Sequence, residues 1–152
     1  MSKLKVKFDE PEHGWIGFII KDDDDERINC SASHIFNSFE RLVIALRMTL
    51  DSQIESKVIW FEEPYELEMS FARRDDLVRL EIRSYPDSRH VQKSEDQTEI
   101  FCGTYNEICL PFWRALRELQ GQFSESEFKT RWREEFPTRE LDLLTQALGK
   151  SK

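Results

Sequence analysis

Glycine is scarce in this chain, with five residues in 152, and none of them falls into a phosphate-cradling pattern. GxGxxG, GxxxxGK[ST] and GxSxG are all missing, so a nucleotide loop or a nucleophile elbow has no material to build on. The three cysteines, Cys30, Cys102 and Cys109, are odd in number and lack CxxC spacing. They read as unpaired thiols of a reducing cytoplasm rather than a disulfide scaffold. Long apolar runs are lacking as well. Trp15 to Ile20 and Ile108 to Trp113 fall far short of the ~20 residues that span a bilayer. The opening Met-Ser-Lys-Leu-Lys-Val-Lys-Phe alternates lysine with apolar residues and reads as a strand, not a signal peptide. Positive charge is in deficit. The formal net charge is −8, and no stretch forms a basic island. General attraction to phosphate backbones or anionic lipid is therefore disfavoured, and neither nucleic acid nor membrane is expected as a partner.

What the chain does have is charge and alternation. Charged residues make up 34% and hydrophobic ones 39%, enough for one packed core in a chain of this length. The clearest pattern lies between Tyr65 and Ser84. Tyr65, Leu67, Met69 and Phe71 alternate with Glu66, Glu68, Ser70 and Ala72; then Val78, Leu80 and Ile82 alternate with Arg79, Glu81 and Arg83. This is the period of two half-buried strands. Asp75-Asp76 supplies a two-residue turn, because Asp tolerates positive φ. The alternation restricts the register and predicts an outer face where Glu66 and Glu68 meet Arg79, Glu81 and Arg83 in water.

Before this hairpin, Leu4, Val6 and Phe8 share one face of a first strand. Trp15 to Ile20 is apolar on both faces, as an interior strand covered on two sides would be. Gly17 within it marks either a bulge or a close contact. After the acids Asp22 to Glu26, Ile28 and Cys30 begin a returning strand, and Ser31 or Ser33 can cap the next helix. Ile35, Phe36, Phe39, Leu42, Val43, Leu46 and Leu50 give that helix its apolar face. Val58 to Phe61 is a short strand. Asp87 to Asp96 has no period and reads as a surface loop, and Glu99 to Tyr105 as the last strand.

From Asn106 the period turns helical, through Ile108, Phe112, Leu116, Leu119 and Phe123. Ser124 to Glu127 is a capping box opening a helix with Phe128, Trp132 and Phe136 at steps of four, ended by Pro137. Thr138 caps a last helix with Leu141, Leu144 and Leu148, stopped by Gly149. The expected fold is therefore α+β: a mostly antiparallel sheet of six to seven strands, one helix after strand three, and about three C-terminal helices packed on one face. Residues 1–149 form one domain and 150–152 a disordered tail.

No catalytic constellation emerges. The run Asp22-Asp23-Asp24-Asp25-Glu26 fails as a calcium loop, because its sixth position is Arg27 and its twelfth Ser33. His13, His34 and His90 are scattered, and Cys30 with His34 is the one close pair of metal-ligand types. Cys102 and Cys109 sit among apolar neighbours and read as small core residues. Glu66 and Glu68, set on a wet face, lack the burial that tunes a catalytic acid. In the C-terminal helices Arg114, Arg117, Lys129, Arg131 and Arg133 mix with aromatics but also with Glu118, Glu125, Glu127, Glu134 and Glu135, which describes a salt-bridged surface. No metal, cofactor or catalytic residue is assigned.

The functional expectation is a cytoplasmic, non-enzymatic protein-binding domain whose acidic excess suits a basic partner. In type it resembles the immunity proteins that neutralise bacterial toxins. Its contact candidates are Asp22, Asp23, Asp24 and Asp25, with Glu66 and Glu68. Two other readings compete: a small-ligand protein or enzyme with a pocket between the sheet and the first helix, and a homodimer or larger homo-oligomer joined through the aromatic C-terminal helices.

Overall fold

The structure, a computed structural model, describes residues 2–86 and 98–150. The expected loop from Asp87 to Asp96 and residues 151–152 of the tail lie outside them. Seven strands form one sheet in chain order: β1 (Leu4–Phe8), β2 (Trp15–Asp22), β3 (Asp25–Ser33), β4 (Ser56–Phe61), β5 (Glu66–Arg74), β6 (Leu77–Tyr85) and β7 (Thr98–Gly103). Every neighbouring pair is antiparallel. Helix α1 (Ser38–Asp51) follows β3, and α2 (Tyr105–Ile108), α3 (Leu110–Gln122), α4 (Glu125–Trp132) and α5 (Thr138–Lys150) follow β7. This is the α+β arrangement that the periodicities predict.

The central hairpin has the predicted register. Arg74 pairs with Leu77 around Asp75-Asp76, with Asp75 at φ 55°, and Met69 stands opposite Ile82. Leu67, Met69, Phe71, Val78, Leu80 and Ile82 are buried. The acidic run makes the second tight hairpin. Asp22 pairs with Asp25, and Asp23 and Asp24 both take positive φ, 51° and 69°, as a two-residue turn with the twist of its strands requires.

The sheet is bent. Strands spaced ~4.8 Å apart would hold the first and seventh of a flat sheet roughly 29 Å from each other. Instead the Ser2 N–H donates to the Cys102 carbonyl at 2.7 Å, and Arg27 of β3 pairs with Glu99 of β7 while lying over the Phe101 ring. Among the described residues β3 and β4 pair only at Ser33 and Phe61, so the sheet splays there and its two halves fold toward one another. The concave face holds the helices. Phe39 of α1 packs at ring-centroid distances of 5.1 Å from Phe8, 5.6 Å from Trp60, 5.6 Å from Phe128 and 5.0 Å from Trp132. It thereby ties β1 and β4 to α4.

Several local expectations are corrected. Ser31 and Ser33 belong to β3, and Asn37 precedes α1, so Ile35 and Phe36 lie outside the helix and are exposed. Tyr65 lies outside β5 and is also exposed. β7 ends at Gly103 because Thr104 starts α2 with a capping box: its side chain accepts from the Glu107 N–H, and Glu107 accepts from the Thr104 N–H. Tyr105 is therefore helical. Ser124 caps α4 as expected, but the helix stops at Trp132, where Arg133 turns left-handed (φ 75°); Phe136 is buried from the following loop. Thr138 is the first residue of α5, its hydroxyl donating to Glu125, and α5 runs through Gly149 to Lys150.

Gly17 marks a close contact: a Cβ there would lie 2.7 Å from the Asp9 carboxylate. Trp15 and Ile19 on the outward face of β2 are not covered as a two-sided interior strand would be. Cys30 and Cys109 are buried, whereas Cys102 points outward and is exposed.

Candidate functional site

The predicted contact residues divide between two places, and neither matches a simple acidic patch. At the β2–β3 turn, Asp22 accepts a hydrogen bond from the Lys3 N–H at 3.1 Å and lies 3.8 Å from Arg27. Asp24 takes a hydrogen bond from Lys5 at 2.6 Å, which holds its carboxyl below the usual carboxylate range. Two of the four aspartates thus fasten the hairpin to β1, while Asp23 and Asp25 stand in water.

Glu66 and Glu68 do lie on the outward face of the hairpin, opposite Tyr85 and Arg83. They are not wet: Glu66 is 4% exposed, Glu68 5% and Glu81 8%. β5 is flanked on both sides, and long side chains lie along it. Lys57 reaches Glu68 at 3.5 Å, and Arg79 and Arg83 hold Glu81 between them. Alternation identified the face; its neighbours closed it.

A cleft lies elsewhere. It holds about 780 Å3 and is lined by Asn37 and Glu40 at the start of α1, Glu125 and Ser126 at the start of α4, and Thr138, Arg139 and Glu140 at the start of α5. Glu134, Glu135, Phe136 and Pro137 of the α4–α5 loop, with Lys129, complete the wall. Three helix N-termini converge here. Their partial positive charges favour glutamate in the first turns and offset part of its mutual repulsion. Five glutamates nonetheless face two cations in the lining. Lys129 lies 3.7 Å from Glu135, Arg47 3.2 Å from Glu140, and the Asn37 amide donates to Glu40 at 2.8 Å. No sequence window could assemble this cleft, since its residues run from 37 to 140.

A row of aromatic residues adjoins it. On the outward face of the sheet Trp15 pairs with Ser33 and Ser33 with Phe61. Phe36, from the β3–α1 loop, packs on Phe61 with ring centroids 5.5 Å apart. Gly14 and His34 join the row to α4: the Gly14 N–H donates to the Arg131 carbonyl, the His34 N–H to the Gly14 carbonyl, and His34 Nδ1 lies 3.9 Å from Glu134. Gly14 takes φ 78°, and a Cβ there would meet the His34 ring at 2.6 Å.

A second cleft, about 450 Å3, opens where β3 and β4 splay, between Arg27, Asn29, Glu62, Tyr65, Leu67, Ser84 and Glu99. Glu62 is half-buried. Desolvation raises its carboxyl above the usual range, against hydrogen bonds from the Ser31 N–H and the Cys30 thiol. Burial likewise pushes the Cys30 and Cys109 thiols up, which disfavours the thiolate a nucleophile requires.

No family model, curated protein or solved structure matches the chain. No helix among the described residues is long and apolar enough to cross a membrane.

Proposed function

We propose that this is a protein-binding domain that takes a basic protein partner, a role of the kind played by immunity proteins that neutralise cationic toxins. The observation carrying this reading is the glutamate-lined cleft at the N-termini of α1, α4 and α5. An acid-rich concavity with few cations of its own attracts lysine and arginine side chains and raises the encounter rate with their owner. The Asp22–Asp25 turn becomes an auxiliary steering element at the far end of β2, roughly 23 Å from Trp15 at ~3.3 Å per residue.

The test has two stages. Affinity capture from the native host with mass spectrometry supplies a partner, and association rates are then measured against ionic strength. A basic partner whose association slows on Glu134→Gln with Glu135→Gln, most strongly at low salt, supports the reading. A partner without basic surface, or an unchanged rate at every salt concentration, refutes it.

The competing small-ligand reading moves to a new place. The space beneath α1 is filled by Phe39, Leu42, Val43 and Leu46 against Val58, Trp60 and Met69. The cleft beside Glu62 is the feature that favours it.

A further inference from the structure

We propose that an extended segment of the basic partner adds to the sheet as a strand along the open edge of β3, with a lysine or arginine reaching Glu62. The inference rests on the basic-partner reading and names a second contact, in the cleft where β3 and β4 splay.

The backbone of β3 carries it. The register with β2 is unbroken from Trp15 to Ile20, so His34 stands opposite Gly14, and its N–H donates to the Gly14 carbonyl at 2.8 Å. In an antiparallel ladder the backbone groups of successive residues point to alternate edges. Cys30 and Ala32 therefore bond toward β2, as His34 does, while Asn29, Ser31 and Ser33 direct their N–H and C=O groups to the opposite edge. There Ser33 meets Phe61, the one pair that joins β3 to β4 among the described residues. The Ser31 N–H donates to the Glu62 carboxylate. The Ser31 carbonyl and both backbone groups of Asn29 have no strand beside them among the described residues. Such an open row of donors and acceptors is a template for another strand, and extended peptides are recruited through it.

The row opens on space. Asn29 itself lines the cleft of about 450 Å3, together with the buried Ile28 and Leu67 and the exposed Tyr65. That volume falls within the range of roughly 300–1,000 Å3 in which pockets enclose a bound group. Main-chain bonds to β3 would supply affinity, and the cleft would select among the side chains of the added strand.

Charge complementarity selects the occupant. The lining holds Glu62, Glu99 and Arg27. Arg27 is already committed: it pairs with Glu99, lies 3.8 Å from Asp22 and sits over the Phe101 ring. Glu62 is held by the Ser31 N–H and the Cys30 thiol, and it joins no ion pair among the described residues. A half-buried carboxylate without a cation gains from a lysine or arginine brought beside it. An acidic segment would meet Glu62 and Glu99 as like charges.

The test uses the whole chain, 15N-labelled, titrated with short peptides of alternating valine and threonine. One carries a central lysine, a second a glutamate in its place, and a third the lysine on a fully N-methylated backbone. The lysine peptide should shift the Asn29 and Ser31 amides and slow their hydrogen exchange. Glu62→Gln should weaken it about tenfold, and N-methylation should abolish binding. If Glu62→Gln fails to fold, the methylated peptide still decides on the unaltered chain. Shifts confined to Glu134 and Glu135 overturn the strand site and leave the basic-partner reading standing. Equal binding of the methylated peptide overturns the strand pairing. Equal binding of the glutamate peptide, or undiminished binding to Glu62→Gln, overturns the role given to Glu62. No binding of the lysine peptide at about 1 mM overturns the strand site, whereas the basic-partner reading is decided by the association rates of the Glu134 and Glu135 variants. Concentration-dependent dimerisation that protects the Asn29 amide makes a second copy the occupant and overturns the proposal.

Discussion

Phe36 and Phe39 are three residues apart, and a helical pattern assigns them the same role. The structure predicts very different costs for removing them. Phe39 is fully buried and its ring meets four aromatic rings, from β1, β4 and α4. Truncating a buried Phe to Ala costs about 3–5 kcal/mol, more where the surroundings cannot collapse into the gap. Here the neighbours belong to three elements held by their own pairings, and the edge-to-face contacts are lost as well. Phe39→Ala should therefore fall near the top of that range, about 5 kcal/mol. Phe36 rests on Phe61 with much of its ring in water, and Phe36→Ala should cost less than about 1 kcal/mol. Domains of this kind are stable by about 5–15 kcal/mol, so Phe39→Ala leaves little folded protein at the lower end. Phe39→Leu, expected to cost about 1.5 kcal/mol, provides a measurable companion. The assay is equilibrium unfolding in urea, reading the midpoint at constant slope. A Phe39→Ala cost below about 2 kcal/mol, or equal costs at the two positions, would refute the assignment of Phe39 as the core hub.

Arg73 donates to the Leu50 and Thr49 carbonyls at the end of α1 and to the Asp75 carbonyl. Arg73→Met should cost about 2 kcal/mol in the same unfolding assay, because these are charge-assisted bonds to carbonyls left open by the helix; no loss of stability would contradict this capping role. Burial raises the Glu62 carboxyl in the folded state, so its contribution is full below the unfolded carboxylate range and is lost as pH rises through the folded value. Glu62→Gln should accordingly raise stability at neutral pH and change little in acid; a loss at neutral pH would contradict this sign. Replacing Asp22, Asp23, Asp24 and Asp25 together by Asn should leave the hairpin intact, since Asn tolerates the positive φ of the turn and keeps an acceptor for the Lys3 N–H. Unfolding of that variant, or an undiminished association rate with a captured basic partner at low salt, would count respectively against the turn geometry and against its steering role.

Most of this architecture is legible in the sequence because strand and helix periods are local. Leu67, Met69, Leu80 and Ile82 announce a hairpin and its register, and Asp75-Asp76 its turn, since a shift by one residue would put an apolar row into water. The same reasoning gives α1 after β3 and the stripe of Leu116 and Leu119. It misplaces ends where no period marks the boundary: α2 starts at the Thr104 capping box, α1 only after Asn37, and α4 stops where the Arg133 backbone turns left-handed. Alternation also cannot say whether an outward face meets water. Glu66 and Glu68 are closed off by neighbours such as Lys57 and Arg83 that become adjacent only when strands pair in register. The candidate site is further still from any local signal. Its glutamates stand far apart in the chain and meet because three helices begin at one place, and Phe36 meets Phe61 because the β3–α1 loop lies where β3 and β4 join, at Ser33 and Phe61. Sequence periodicity fixes which face of each element is apolar; bending the sheet around the helices decides which leftover residues become neighbours, because that depends on contacts between elements distant in the chain.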